Sequence, residues 1–154
     1  MRKPGKVHFD AIIHLLRYLR DDTNNGIRFF SNYATPLLYQ HLKTNNLPTD
    51  QFLVAMSDSS WNDDVDTGHS TGCFLIFYMG GIIDHSSNIP DPVALSSAEA
   101  EYNQACVATM ALMHIAMVIN NLELLEEDHI RKGIPLIFDS SSAIEIGNSF
   151  KDAY

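Results

Sequence analysis

Three apolar runs separated by short polar breaks, then one long helical stretch, then a fourth apolar run, constrain this chain more than any other feature. The first run, QFLVAMSDSSW from Gln51, alternates Phe52, Val54 and Met56 with Leu53 and Ala55. That pattern predicts a strand with both faces covered. The polar loop NDDVDTGHSTG leads to a second strand, CFLIFYM, and Gly80-Gly81 predicts a hairpin turn into a third, IIDHSS. After Pro90 and Pro92 the spacing predicts a helix from about Ser97 to about Leu125. Gly133-Ile134-Pro135 introduces the last strand, LIF, which ends at Asp139. Ser140 to Ser142 then cap a final helix, SAIEIGN. Strands joined by short turns form an antiparallel meander, and a strand reached through a long helix returns parallel to an earlier one. The expected fold is α/β, a mixed sheet with helices packed on it.

Upstream of Gln51 the pattern is looser. Val7, Ile12, Leu15, Leu16 and Leu19 lie at helical spacing after Pro4, and Asn24, Asn25 and Gly26 end that helix. GIRFF reads as a short strand. Residues 31–50, broken by Pro36 and Pro48, read as an irregular linker or loop. At 154 residues the chain has room for one core. No stretch of about 18 uninterrupted apolar residues is present, so no membrane span or membrane partner is expected. The basic start MRKPGKVHFDAII is interrupted by His8 and Asp10 and does not read as a secretory signal. Cys73 and Cys106, with no paired spacing, suggest buried thiols in a reducing compartment.

The net charge of -9 is unevenly spread. Residues 1–43 carry seven Lys and Arg against three acids, whereas residues 44–130 carry thirteen acids and no Lys or Arg. The second stretch repels phosphates and attracts divalent cations. Any nucleic acid must be met through a metal ion or through the N-terminal basic residues Arg2, Lys3, Lys6, Arg17 and Arg20.

Three carboxylates sit where such a fold can gather them. Asp58 ends the first core strand and Asp139 the fourth, and the ends of parallel neighbours lie together. Glu99 opens the crossover helix. Unpaired, three such groups raise one another's pKa values. A divalent cation removes the conflict, and Mg2+ prefers a few carboxylates with water and phosphate oxygens. Two ions about 3.5 to 4 Å apart suit phosphodiester hydrolysis. Each acid also has a plainer role. Ser96-x-x-Glu99 is a capping box, and Asp58 and Asp139 can both serve as turn residues. Glu101 lies roughly 200° around the helix from Glu99 and is expected to point elsewhere.

Other features have simple readings. Asp63, Asp64 and Asp66 form a solvated loop that lacks calcium-loop spacing. Trp61 is expected to pack under the hairpin, stacking on a base or sugar being the alternative; His69 is the histidine nearest Asp58 in sequence, and Met110, Met113 and Met117 are expected to fill the core.

The chain resembles the RNase H domain of copia-type LTR retrotransposon polyproteins. SDSSWNDDVDTGHSTGCFLIFYMGG is similar to that family's first strand and hairpin, VALSSAEAEYNQA to its Ala-Leu-Ser-(Ser/Thr)-x-Glu-Ala-Glu-Tyr motif, and IFDSSSAIEI to its third acidic block. HFDAIIHLLRYLRDDTNNGIRF resembles the segment that joins reverse transcriptase to RNase H. The resemblance implies residues 1–50 as that connection segment and 51–154 as an RNase H-like domain, incomplete at its C-terminus. It implies Asp58, Glu99 and Asp139 as catalytic metal ligands for two Mg2+ ions, with Mn2+ as a substitute. It further implies cleavage of the RNA strand of an RNA–DNA hybrid, recognised by shape and 2′-hydroxyls. The partner is the reverse transcriptase portion of the same polyprotein, in the cytoplasm or within virus-like particles. The chain departs from the family in two places. His85 stands near a Trp position with no Gln following, and the fourth acidic block is not met before Tyr154, Asp152 not fitting it. The alternative is a catalytically inactive RNase H-fold remnant of a decayed or truncated element.

Overall fold

The computed structural model describes residues 5–21, 23, 26–29, 36–44, 46, 53–64, 66–89, 93–124 and 133–149. Its centre is a four-stranded sheet of β1 (Leu53–Ser60), β2 (Thr71–Tyr78), β3 (Gly81–Asn88) and β4 (Leu136–Ile137) in the order β3-β2-β1-β4. β1, β2 and β3 pair antiparallel and β4 joins β1 in parallel. Four helices accompany the sheet among the described residues: α1 (Lys6–Asp21), α2 (Pro36–Thr44), α3 (Ser97–Asn121) and α4 (Ser141–Ser149). This mixed α/β arrangement is compatible with an RNase H-like fold.

Both faces of β1 are covered, as its unbroken apolar run requires. Leu53 and Ala55 pack with Phe74 and Ile76 of β2 against Ala108, Leu112 and Ile119 of α3. Val54 turns the other way, onto Leu38 and Leu42 of α2. Residues 36–44 therefore form a helix rather than the irregular linker expected from their prolines. Pro36 sits at the first helical position, where its missing N–H costs nothing. The buried Leu38 and Leu42 are four apart, on one helical face. Residues 26–29 are not a strand, and the end signals at Asn24 and Asn25 lie outside the described residues.

The hairpin between β2 and β3 turns at Met79 and Gly80, one residue earlier than expected. Gly81 already pairs with Tyr78. Both turn residues have positive φ (Met79 51°, Gly80 75°), the type I′ geometry that suits strand twist.

α3 is long and apolar enough to cross a membrane by length and composition. No single apolar run in the sequence announced this. Its inner face lies on the sheet, where Ala100, Glu101, Gln104, Ala105, Ala108, Leu112 and Ile119 are buried. The tyrosine hydroxyl of Tyr78 donates to the Leu124 carbonyl at 2.9 Å and ties the far end of the helix to β2. Met110, Met113 and Met117 are exposed, not core as expected, because the alanine face is the one that fits close to the strands. α1 buries none of its side chains among the described residues. Cys106 is exposed and Cys73 half-buried, which corrects the expectation of two buried thiols.

Met79 holds a left-handed backbone that costs a β-carbon-bearing residue about 1 kcal/mol. Met79→Asn places the preferred Asn-Gly pair in the turn. It is expected to raise unfolding stability by about 1 kcal/mol in a urea titration, with an unchanged m-value.

Candidate metal centre

The parallel pairing of β1 with β4 sets the site. Ala55 stands beside Leu136 and Met56 beside Ile137, and the same offset two residues further brings Asp58 level with Asp139. Both carboxylates are exposed at the C-terminal end of the pair. Ser140 caps α4 directly after Asp139, its hydroxyl accepting from the Ala143 N–H at 3.2 Å. That cap stops the strand and turns the chain away from the site.

The third carboxylate is Glu101. It lies on the inner face of α3, 8% exposed, and one oxygen, Oε1, accepts from the Ser59 N–H at 3.3 Å. Asp58, Glu101 and Asp139 each offer an oxygen, and the three oxygens lie within 4.8 Å of one another. Among the described residues, this is the group of His, Cys, Asp and Glu side chains that converges on one point.

Glu99, the residue expected from the sequence, does not join them. Its carboxylate turns back to accept from the Leu95 N–H at 2.8 Å, while its own N–H donates to Ser96 Oγ at 3.2 Å. Ser96 has the extended backbone of an N-cap, with φ −151° and ψ 162°. The two glutamates point to opposite sides of α3, and it is Glu101 rather than Glu99 that faces the sheet. The available signal was the stripe Ala100, Gln104, Ala105, Ala108, which shares its helical face with position 101 and excludes 99.

Burial raises the pKa of Glu101 above its ordinary value. The Ser59 N–H partly offsets this, and the charges of Asp58 and Asp139 push it further up. Across the strand pair from Asp58 lies Cys73. Its thiol is raised by burial first and by the Asp58 and Glu101 charges after it. A cleft of about 710 Å³ opens beside the carboxylates, lined by Asp58, Cys73, Leu75, Phe138, Asp139 and Ile144 among others.

The remaining sequence candidates stand apart. Asp64 organises its own loop, accepting from Thr67 Oγ1 at 2.6 Å and from the Asp66 N–H at 3.0 Å. The Thr67 hydroxyl leads in holding its carboxyl below the ordinary value. His69 belongs to this loop, its carbonyl accepting from the Asp64 N–H at 3.2 Å. Trp61 is half exposed, and its indole N–H donates to the Ala94 carbonyl at 3.0 Å, fastening the approach to α3 to the end of β1. Arg2 and Lys3 lie outside the described residues. Arg20 on α1 pairs with its neighbour Asp21 at 3.1 Å.

No family model matches the chain. It is similar to the Retrovirus-related Pol polyprotein from transposon TNT 1-94 of Nicotiana tabacum, 26% identical over 149 residues, which are 97% of this chain and 10% of that protein. It is similar to the Secreted RxLR effector protein 161 of Plasmopara viticola, 30% identical over 106 residues, 69% of this chain and 63% of that protein. It is also similar to the Retrovirus-related Pol polyprotein from transposon RE1 of Arabidopsis thaliana, 29% identical over 122 residues, 79% of this chain and 7% of that protein. No solved structure matches. The chain thus spans a tenth or less of the two Pol polyproteins, and its likeness is to one region of a plant retrotransposon Pol polyprotein.

Two substitutions separate the glutamates. Between the ordinary carboxyl value of 4.5 and the raised value of Glu101, the folded state holds a proton that the unfolded chain releases. Stability of the metal-free protein therefore falls as pH rises through that window. Glu101→Gln removes the effect. It is expected to be more stable than the parent at pH 7 and equal to it below pH 4.5, read as melting temperature against pH. Glu99→Ala is expected to lose about 1 kcal/mol at pH 7 through the lost cap.

Proposed function

We propose that the chain is the RNase H unit of a copia-like retrotransposon Pol polyprotein. In this reading, residues 51–154 form the nuclease portion and residues 1–50 the connection to reverse transcriptase. Its reaction is the divalent-metal-dependent hydrolysis of the RNA strand in an RNA–DNA hybrid. One observation carries the reading: Asp58, Glu101 and Asp139, from two parallel strand ends and the crossover helix, bring carboxylate oxygens within 4.8 Å of one another.

The donor set suits Mg2+ or Mn2+. It is all oxygen, it comes from carboxylates alone, and two of the three are open to solvent and phosphate. The buried member has an oxygen, Glu101 Oε2, with no hydrogen-bond partner. An ion held here would neutralise phosphate charge and lower the pKa of an attacking water. Asp58 and Asp139 line the cleft and would be the ligands open to solvent and substrate. Glu101, held by the Ser59 N–H, would supply the ligand from the buried side of the site. The cleft beside Asp139 gives the RNA strand its seat. The likeness to transposon Pol polyproteins supports the same reading.

A second reading is an RNase H-like unit that folds without cleaving. It is favoured by the absence of Lys and Arg from residues 44–130, so β1, β2, β3 and α3 bring no cationic side chain to a phosphate.

Cleavage of a labelled RNA–DNA hybrid decides between them. The parent protein is expected to cut the RNA strand with Mg2+ or Mn2+ and to stop in EDTA. Asp58→Asn, Glu101→Gln and Asp139→Asn are each expected to lower the rate by about 100-fold or more, whereas Glu99→Gln stays within a few-fold of the parent. No cleavage by a folded parent supports the second reading. Equal rates for the parent and Asp58→Asn would assign the signal to a contaminant.

A further inference from the structure

Under the carboxylates, on the α3 side of the sheet, five buried polar atoms among the described residues have no hydrogen-bond partner. They are both amide atoms of Gln104, the hydroxyls of Ser57 and Ser59, and Glu101 Oε2. Gln104 is wholly buried. Ser57 and Ser59 project from the same face of β1 as Leu53 and Ala55, by the two-residue period of a strand. Ser59 pairs across to Gly72 of β2. Gly72 lies so close to Gln104 that a β-carbon there would collide with the side-chain amide. Glu101 precedes Gln104 by one helical turn on the same buried face and holds the Ser59 N–H. The five atoms therefore belong to four residues in one neighbourhood.

Buried polar groups are nearly always hydrogen-bonded, and each left unmade costs about 1–3 kcal/mol. Such a concentration beneath a site is unlike a packing accident. Its donors and acceptors also match. Gln104 Nε2 offers two N–H groups and each serine one O–H, while Gln104 Oε1, Glu101 Oε2 and the serine oxygens accept. Buried polar groups that lack a protein partner are commonly joined by ordered water.

We propose that Gln104 is a positioning residue for the metal centre, closing a water-bridged network with Ser57 and Ser59 onto Glu101 Oε2. The assignment rests on the metal reading above. A carboxylate oxygen has two lone pairs, so Oε2 can accept from this network with one and face an ion with the other. Held at both oxygens, by Ser59 and by the network, Glu101 loses the rotamer freedom that would otherwise weaken ion binding. Gly72 is part of the arrangement, since its missing side chain is the room that Gln104 occupies.

The probe is Mn2+ alone, titrated calorimetrically into the parent, Gln104→Met and Ser57→Ala, with the melting temperature of each measured in EDTA. Gln104→Met keeps the length of the side chain and removes its polar atoms. It is expected to weaken Mn2+ binding about 10- to 100-fold, the range for groups that orient ligands, with an unchanged or higher melting temperature. Ser57→Ala is expected to weaken binding less, and the double variant is expected to lose less than the two single losses multiplied. A purely structural Gln104 would lower the melting temperature and leave the affinity alone. Parent-like affinity in Gln104→Met overturns the proposal, and if that variant does not fold, parent-like affinity in Ser57→Ala does so. A parent that binds no Mn2+ overturns the metal reading itself, a result distinct from either.

Discussion

The close approach of α3 to β1 and β2 is the constraint on which the rest of the molecule depends. Two strands and a helix can lie this near only where side chains are small. Ala100, Ala105 and Ala108 supply that on the helix and Gly72 on the sheet. The approach turns Glu101 inward to the Ser59 N–H and sets Leu112 and Ile119 over Leu53 and Ile76. It also leaves the bulky methionines at 110, 113 and 117 to solvent. A larger residue at Gly72 or Ala108 would lift the helix and withdraw Glu101 from the strand ends together.

That packing places charge where the fold alone does not stabilise it. Glu101 is buried beside two other carboxylates, and among the described residues the one ion pair is the exposed Arg20–Asp21 contact on α1. Cations are absent from residues 44–130 altogether, so no arginine or lysine of that stretch can relieve the crowding. The apolar core on both sides of β1 carries the unfavourable site. A binding site for a divalent ion has this character: the protein holds repelling groups at a spacing that an ion then makes favourable.

Much of this was legible in the residues. The alternating runs gave the meander, and the helix before LIF gave the parallel return that levels Asp58 with Asp139. Ser96 and Ser140 marked their helix starts. What was not legible has a physical pattern. Pro36 reads as a breaker because it lacks an N–H, yet it also fits the first turn of a helix, and only Leu38 and Leu42 against Val54 reveal which it is. α3 carries two apolar stripes, one of alanines and one of methionines. Periodicity finds both without saying which faces the sheet, and choosing the larger side chains as core reversed the helix. The same rotation exchanged Glu99 for Glu101. The buried amide of Gln104 could not be anticipated, because nothing in its neighbours' sequence shows that Gly72 makes room for it.

The central claim is that one cation site lies between the ends of β1, β4 and the inner face of α3. Anomalous diffraction from crystals grown with Mn2+ tests it directly. A manganese peak is expected within coordination distance of Asp58, Glu101 and Asp139, and none at Glu99. A peak at Glu99 or in the Asp63–Asp66 loop, with the three carboxylates left bare, would contradict it.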